Sequence, residues 1–150
     1  MVREVEYMTV ELEDLALAVK RLQHRHHRTL DARLAPLGIT LVQWDALRAI
    51  SRHPNASSHR LAQLTFQTDQ SFGALAGRLE ARGLIDRAAG PGRALRHRLT
   101  STGEALLSEG YTVYNEVLSQ SFAPLSPTEL DTLYDLLTRL LRGPDGSLVE

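Results

Sequence analysis

The side chains with most to offer chemically are basic or amide-bearing, and they cluster. Arg78, Arg87, Arg93, Arg96 and Arg98 fall within residues 78–98, a stretch with a net charge of +4. Just before it, Gln70, Ser71, Gly73 and Ala74 form a run of small and amide residues. Guanidinium groups fork onto phosphate oxygens and guanine edges, and a glutamine amide can pair bidentately with adenine. Six histidines raise a different chemistry. His24 and His27 have the spacing of two ligands on one helix, but Arg21, Arg25 and Arg28 are interleaved with them and would repel a dication. The chain lacks cysteine, which rules out thiolate metal sites, disulfides and thiol sensors. It also lacks a nucleophile elbow, a glycine-rich phosphate loop and an HExxH motif. The chemistry expected is contact with nucleic acid, with no metal, no cofactor and no enzymatic activity.

Charge is segregated along the chain. The net charge is −1 over 150 residues, yet residues 20–60 carry +6 while residues 1–19 and 99–150 carry −4 and −6. A basic middle suits a polyanion, and acidic ends keep the molecule in solution. Lys20 is the only lysine, so the positive charge is almost all guanidinium. Hydrophobic residues make up 43% of the chain, an ordinary share for a globular protein. No apolar run reaches the roughly 20 residues of a membrane span, and the first residues have no signal-peptide core. A cytoplasmic protein without membrane association is expected.

The elements that must position these residues follow from periodicity and caps. Leu12, Leu15, Val19, Leu22, His26 and Leu30 make one stripe of a long first helix, with Thr9 as its expected N-cap and Pro36 to Gly38 as its stop. Thr40 and Gln43 have capping-box spacing for a second helix bearing Leu41, Trp44, Leu47 and Ile50. Ser57 or Ser58 starts a short third helix, and a turn through Thr65, Phe66 and Gln67 leads to a fourth capped by Thr68. In that fourth helix Phe72, Leu75, Ala76 and Leu79 form the apolar face, and Gly83 ends it. The period then shortens to two, with Leu95, His97 and Leu99 alternating with Arg96 and Arg98. Glycines flanking Pro91 make the two arms a hairpin. Thr100 opens a long fifth helix that Pro124 breaks, and Ser126-Pro127-Thr128-Glu129 starts a sixth with a leucine stripe. The fold class expected is mainly α: a winged helix-turn-helix between long terminal helices. Those helices have narrow seams and too little of their own chain to bury against, so a homodimer is expected.

The blocks Arg78-Leu79-Glu80-Ala81-Arg82-Gly83-Leu84-Ile85 and Arg98-Leu99-Thr100-Ser101-Thr102-Gly103 resemble the MarR family of bacterial transcriptional regulators. The resemblance runs over about residues 9–142. It implies an obligate homodimer on a pseudo-palindromic operator in double-stranded DNA, with repression relieved by a small, often aromatic anionic effector. The whole chain, 1–150, then reads as one domain, with dimerisation helices at 9–35 and 101–142 and the winged helix-turn-helix at 40–99. Gln70, Ser71, Gly73, Ala74 and Arg78 are expected in the major groove, and Ser58 and Arg60 on the phosphate backbone. Arg93 is expected in the minor groove, with Arg87 and Arg96 as secondary wing contacts. His27, Trp44 and Tyr111 are the expected effector residues, where the first, second and fifth helices meet. Two departures stand out: the wing tip reads Pro91-Gly92-Arg93, without the family's usual Asp, and Phe66 takes the place of the usual turn glycine. Two other readings stay open, a DNA-binding dimer with no effector and a protein-interaction module that has lost DNA contact.

Overall fold

The computed structural model describes residues 9–90, 92 and 95–142. Six helices and one hairpin follow the expected order: α1 (Leu12–Leu34), α2 (Leu41–Arg52), α3 (Ser58–Leu64), α4 (Asp69–Ala81), β1 (Ile85–Ala89), β2 (Leu95–Leu99), α5 (Ser101–Phe122) and α6 (Pro127–Leu141). The chain divides into two compact units, residues 1–114 and 115–150.

In the first unit, local chemistry sets the helix boundaries. Helix α1 starts at Leu12 with Glu11 as its N-cap and no side-chain cap bond, so Thr9 is not the cap. It closes through a 3₁₀ turn, Ala35–Leu37, onto left-handed Gly38. Thr40 and Gln43 form the complete capping box of α2, and Asp31 of α1 accepts a further bond from the Leu41 amide at 2.8 Å. That bond satisfies one of the orphan donors at the start of α2 and fixes α1 against it. Gly83, at φ 71°, ends α4 in a left-handed turn in which the Gly83 and Leu84 amides return to the carbonyls of Glu80 and Leu79. The Thr100 hydroxyl then donates to the Gly83 carbonyl at 2.6 Å and accepts from the Gly103 amide at 3.1 Å. One side chain therefore starts α5 and ties it to the end of α4.

The core of this unit joins Leu34, Trp44, Leu47, Leu61, Phe72, Leu79 and Ile85, all fully buried. The hairpin pairs Ile85 with Leu99, Arg87 with His97 and Ala89 with Leu95 in antiparallel register. His97 and Leu99 are buried as the alternation predicts, but Leu95, near the tip, is exposed because the core does not extend that far. The second unit holds the end of α5 and α6, whose start has the full Ser126/Glu129 capping box with Pro127 in the first turn. No residue of α6 is buried, and Tyr134, Leu137, Leu140 and Leu141 lie open to solvent. No helix among the described residues is long and apolar enough to cross a membrane.

Candidate nucleic-acid interface

Helix α4 divides cleanly by face. Phe72, Leu75, Ala76 and Leu79 are buried, while Gln70, Ser71, Gly73, Ala74 and Arg78 are all exposed. Its N-cap, Thr68, accepts from the Ser71 amide at 3.1 Å, and the Thr68 hydroxyl donates to the Ser71 hydroxyl at 3.0 Å. Gly73 has ordinary helical φ, and a Cβ built on it would meet nothing within 4 Å. Neither backbone conformation nor packing among the described residues requires glycine there. The result is a slim helix surface bearing an amide, a hydroxyl and Arg78, which has no side-chain partner among the described residues.

The other arginines are more committed. Arg87, on β1, reaches both carboxylate oxygens of Glu80 on α4, at 3.2 and 3.3 Å. Hydrogen bonding to Arg87 holds the Glu80 carboxyl below its ordinary value. Arg96, on β2, donates to the Asn55 carbonyl at 2.8 Å. Arg82 donates to the Gly38 carbonyl at 2.6 Å and to Gln43 at 3.3 Å. These three guanidinium groups fasten the wing and the end of α4 to the body of the unit, so Arg87 and Arg96 have structural work beside any contact with DNA. Arg98 is exposed. Arg93 lies outside the described residues.

At the start of α3, Ser57 is the N-cap and accepts from the Arg60 amide at 3.1 Å. Ser58 and Arg60 are half-buried, and Arg60 contacts Gln63 at 3.4 Å. His59 turns toward α4, its Nδ1 2.8 Å from Asp69 Oδ1, a pairing that sequence spacing gave no means of finding. The turn that follows places Phe66 at φ 56°, with its side chain 95% exposed. The position that resembles a family glycine is indeed left-handed, and a bulky residue occupies it at a cost.

Of the three expected effector residues, Trp44 and Tyr111 lie together, while His27 stands on the exposed surface of α1. Trp44 is fully buried, its indole N–H donates to the Leu107 carbonyl at 3.2 Å, and its ring packs on Tyr111 and Tyr114 at 5.0 and 4.9 Å. A Cβ on Gly110 would collide with the indole, so glycine is what lets α5 descend onto it. Trp44 is therefore core, and Arg48 stacks over both Trp44 and Tyr114, each at 5.0 Å. Burial pushes the Asp45 carboxyl up, against the opposing pull of Arg48 and His27. His27 itself is exposed and lines an open concavity of about 1050 Å³ along α1 with Lys20, Arg21, Arg25 and Arg28.

Comparison with known proteins decides the family. The sequence pattern of the MarR family matches residues 37–94. The HTH-type transcriptional repressor Rv2887 of Mycobacterium tuberculosis is 31% identical over 113 residues, covering 74% of this chain and 81% of the relative. The chain belongs to the MarR family. It is a transcriptional regulator with a winged helix-turn-helix, from a family of regulators and not of enzymes. Among solved structures, the MarR-family protein Rv2887 in complex with p-aminosalicylic acid aligns with a TM-score of 0.70 at 28% identity, over 87% of this chain and 98% of that one. A "probable transcriptional regulator" from Pseudomonas aeruginosa gives 0.75 at 32% identity, over 87% and 99%. A MarR variant from E. coli complexed with operator DNA gives 0.78 at 21% identity, over 85% and 94%, and shares the MarR fold.

Proposed function

We propose that this protein is a cytoplasmic repressor that binds a pseudo-palindromic operator as a homodimer and is released by a small aromatic carboxylate. The observation that carries the reading is the exposed face of α4, where Gln70, Ser71, Gly73, Ala74 and Arg78 stand over a buried apolar ridge. Such a face can approach base edges closely, with the N-terminal turns of the helix leading into the major groove. Ser58 and Arg60 would position the phosphate backbone. Arg93 would enter the minor groove from a wing that Arg87 and Arg96 hold in place. Residues 40–99 serve as the reading part of a single domain, with 9–35 and 101–142 as the pairing part.

Support for pairing comes from apolar side chains left in solvent. Leu12, Leu15 and Val19 on α1, and Tyr134, Leu140 and Leu141 on α6, are all exposed in the single chain. Stripes of this kind are buried when a second copy covers them. Support for the effector class comes from Rv2887, solved with salicylic and with p-aminosalicylic acid, and from the basic lining of the α1 concavity around His27. Trp44, fully buried, would meet such a ligand only through movement of α5, whereas Tyr111 is half-buried.

The test is selection of bound fragments from a random duplex library by the purified protein. The expected result is an enriched palindrome with half-sites about one helical turn, roughly 34–36 Å, apart. Salicylate should raise the melting temperature of the protein and lower its affinity for that palindrome. Absence of any enriched sequence, together with binding that is insensitive to salt, would refute DNA recognition and favour an interaction module.

A further inference from the structure

The polar pair joining α3 to α4 has no part in the reading above. Asp69 is the first residue of α4 but not its cap, a role that Thr68 fills. Its two carboxylate oxygens lie 2.8 and 3.0 Å from Nδ1 of His59 on α3. An ionised carboxylate only accepts, so the imidazole donates. Both side chains stay open, 66% and 67% exposed. Exposed pairs of this sort add little to stability. A carboxylate at the entry end of a helix that approaches DNA is also repelled by the phosphates. The dipole of α4 and the His59 contact favour the carboxylate in the free protein, and on DNA a donor on a base edge would offset the repulsion.

The hydrogen-bond pattern of the bases narrows what it can be. In the major groove guanine shows N7 and O6 acceptors, thymine an O4 acceptor and a methyl group, and adenine an N7 acceptor beside its N6 donor. Only cytosine presents a donor, its N4 amine, with no acceptor beside it. His59 Nδ1 lies against both carboxylate oxygens and orients them, leaving their outer lone pairs to accept. We propose that Asp69, held by His59, reads a cytosine in each half-site. The proposal rests on the DNA-binding reading above and adds to it a specificity-determining carboxylate and its positioning residue.

The experiment compares the wild type with Asp69→Ala, Asp69→Asn and His59→Ala on the selected palindrome and on duplexes changed one base pair at a time. For the wild type, replacing the cytosine should weaken binding about tenfold or more. Asp69→Ala should lose that preference at one position per half-site, keep the preference set by Gln70, and bind unrelated duplex more tightly. Asp69→Asn, close to isosteric and so least disturbing to the fold, should move the preference towards adenine. His59→Ala should blunt the cytosine preference without abolishing it. If Asp69→Ala and Asp69→Asn leave every base preference unchanged and only lower the melting temperature, the pair is a staple between α3 and α4 and the proposal is overturned. If the wild type itself selects no sequence, the DNA-binding reading fails and takes this one with it.

Discussion

Replacing Gly73 with alanine separates what the fold needs from what the groove needs. In a helix interior glycine is less favourable than alanine by about 0.8–1.0 kcal/mol. Gly73 sits within α4, with ordinary helical φ, and its missing Cβ would point into open space with nothing within 4 Å. Nothing among the described residues therefore subtracts from the gain. Gly73→Ala should stabilise the protein by about 1 kcal/mol, a rise of roughly 2–4 °C in Tm for a chain of this size. On DNA the sign should reverse. If base edges come up against this stretch of helix, one added methyl group must be accommodated in a packed interface, at about 1–3 kcal/mol. Thermal denaturation of the free protein and fluorescence anisotropy on the selected operator measure the two effects separately. A variant that gains stability and loses affinity supports close approach of α4 to the duplex. A variant that gains stability and binds as tightly as the wild type would refute the reasoning, because the glycine would then have no role inside or outside the chain.

Other outcomes follow from the same geometry. Phe66→Gly should stabilise the protein by about 0.5–1 kcal/mol, because it relieves a left-handed residue whose side chain buries nothing; chemical denaturation would show it. Gly110→Ala should destabilise by about 1–3 kcal/mol as the new methyl group forces α5 off Trp44, with a matching change in tryptophan fluorescence. Arg78→Ala should relax base preference at one position per half-site, at about 1–3 kcal/mol, as read by binding to duplexes changed one base pair at a time. Arg82→Ala, by contrast, should leave base preference alone and lower Tm, since its guanidinium is already spent on Gly38 and Gln43. Burial pushes His97 below its ordinary value, with Arg87 adding to the effect and Glu80 opposing it. The unfolded chain therefore binds a proton more readily than the folded one, so this stability is intact above the unfolded value of about 6.5 and declines as pH falls below it towards the lowered folded value. Urea melts of His97→Asn at pH 7.5 and 5.5 should show a smaller difference than the wild type; His26, also lowered by burial and by Arg25, contributes to the part that remains.

The parts of the fold that could be read along the chain are those whose determinants lie within one turn of helix or one strand. Thr40 with Gln43, Thr68 with Ser71 and Ser126 with Glu129 are partners three residues apart, so the caps they form were visible as spacing. The buried ridge of α4 was visible for the same reason, since a period of 3.6 residues places Phe72, Leu75, Ala76 and Leu79 on one side whatever they pack against. Helix α1 starts at Leu12 and not after Thr9, because Glu11 caps it with backbone geometry alone and leaves no side-chain signature.

Which charges are free and which are occupied could not be read that way. Arg87 meets Glu80 across 7 residues, His59 meets Asp69 across 10, Arg96 meets Asn55 across 41 and Arg82 meets Gly38 across 44. Those separations carry no periodic signal, and a guanidinium group looks the same in the chain whether it faces a carbonyl or open water. That Trp44 faces inward was legible from its place beside Leu41 and Leu47 on α2, but its partner was not, because the contact depends on a glycine far along α5 that allows two helices to touch. Composition and local pattern were enough to mark a basic winged helix built to approach a polyanion. Folding alone sorted its arginines into fasteners and available contacts, because ion pairing depends on distance in space, and distant segments acquire that distance only when the core closes.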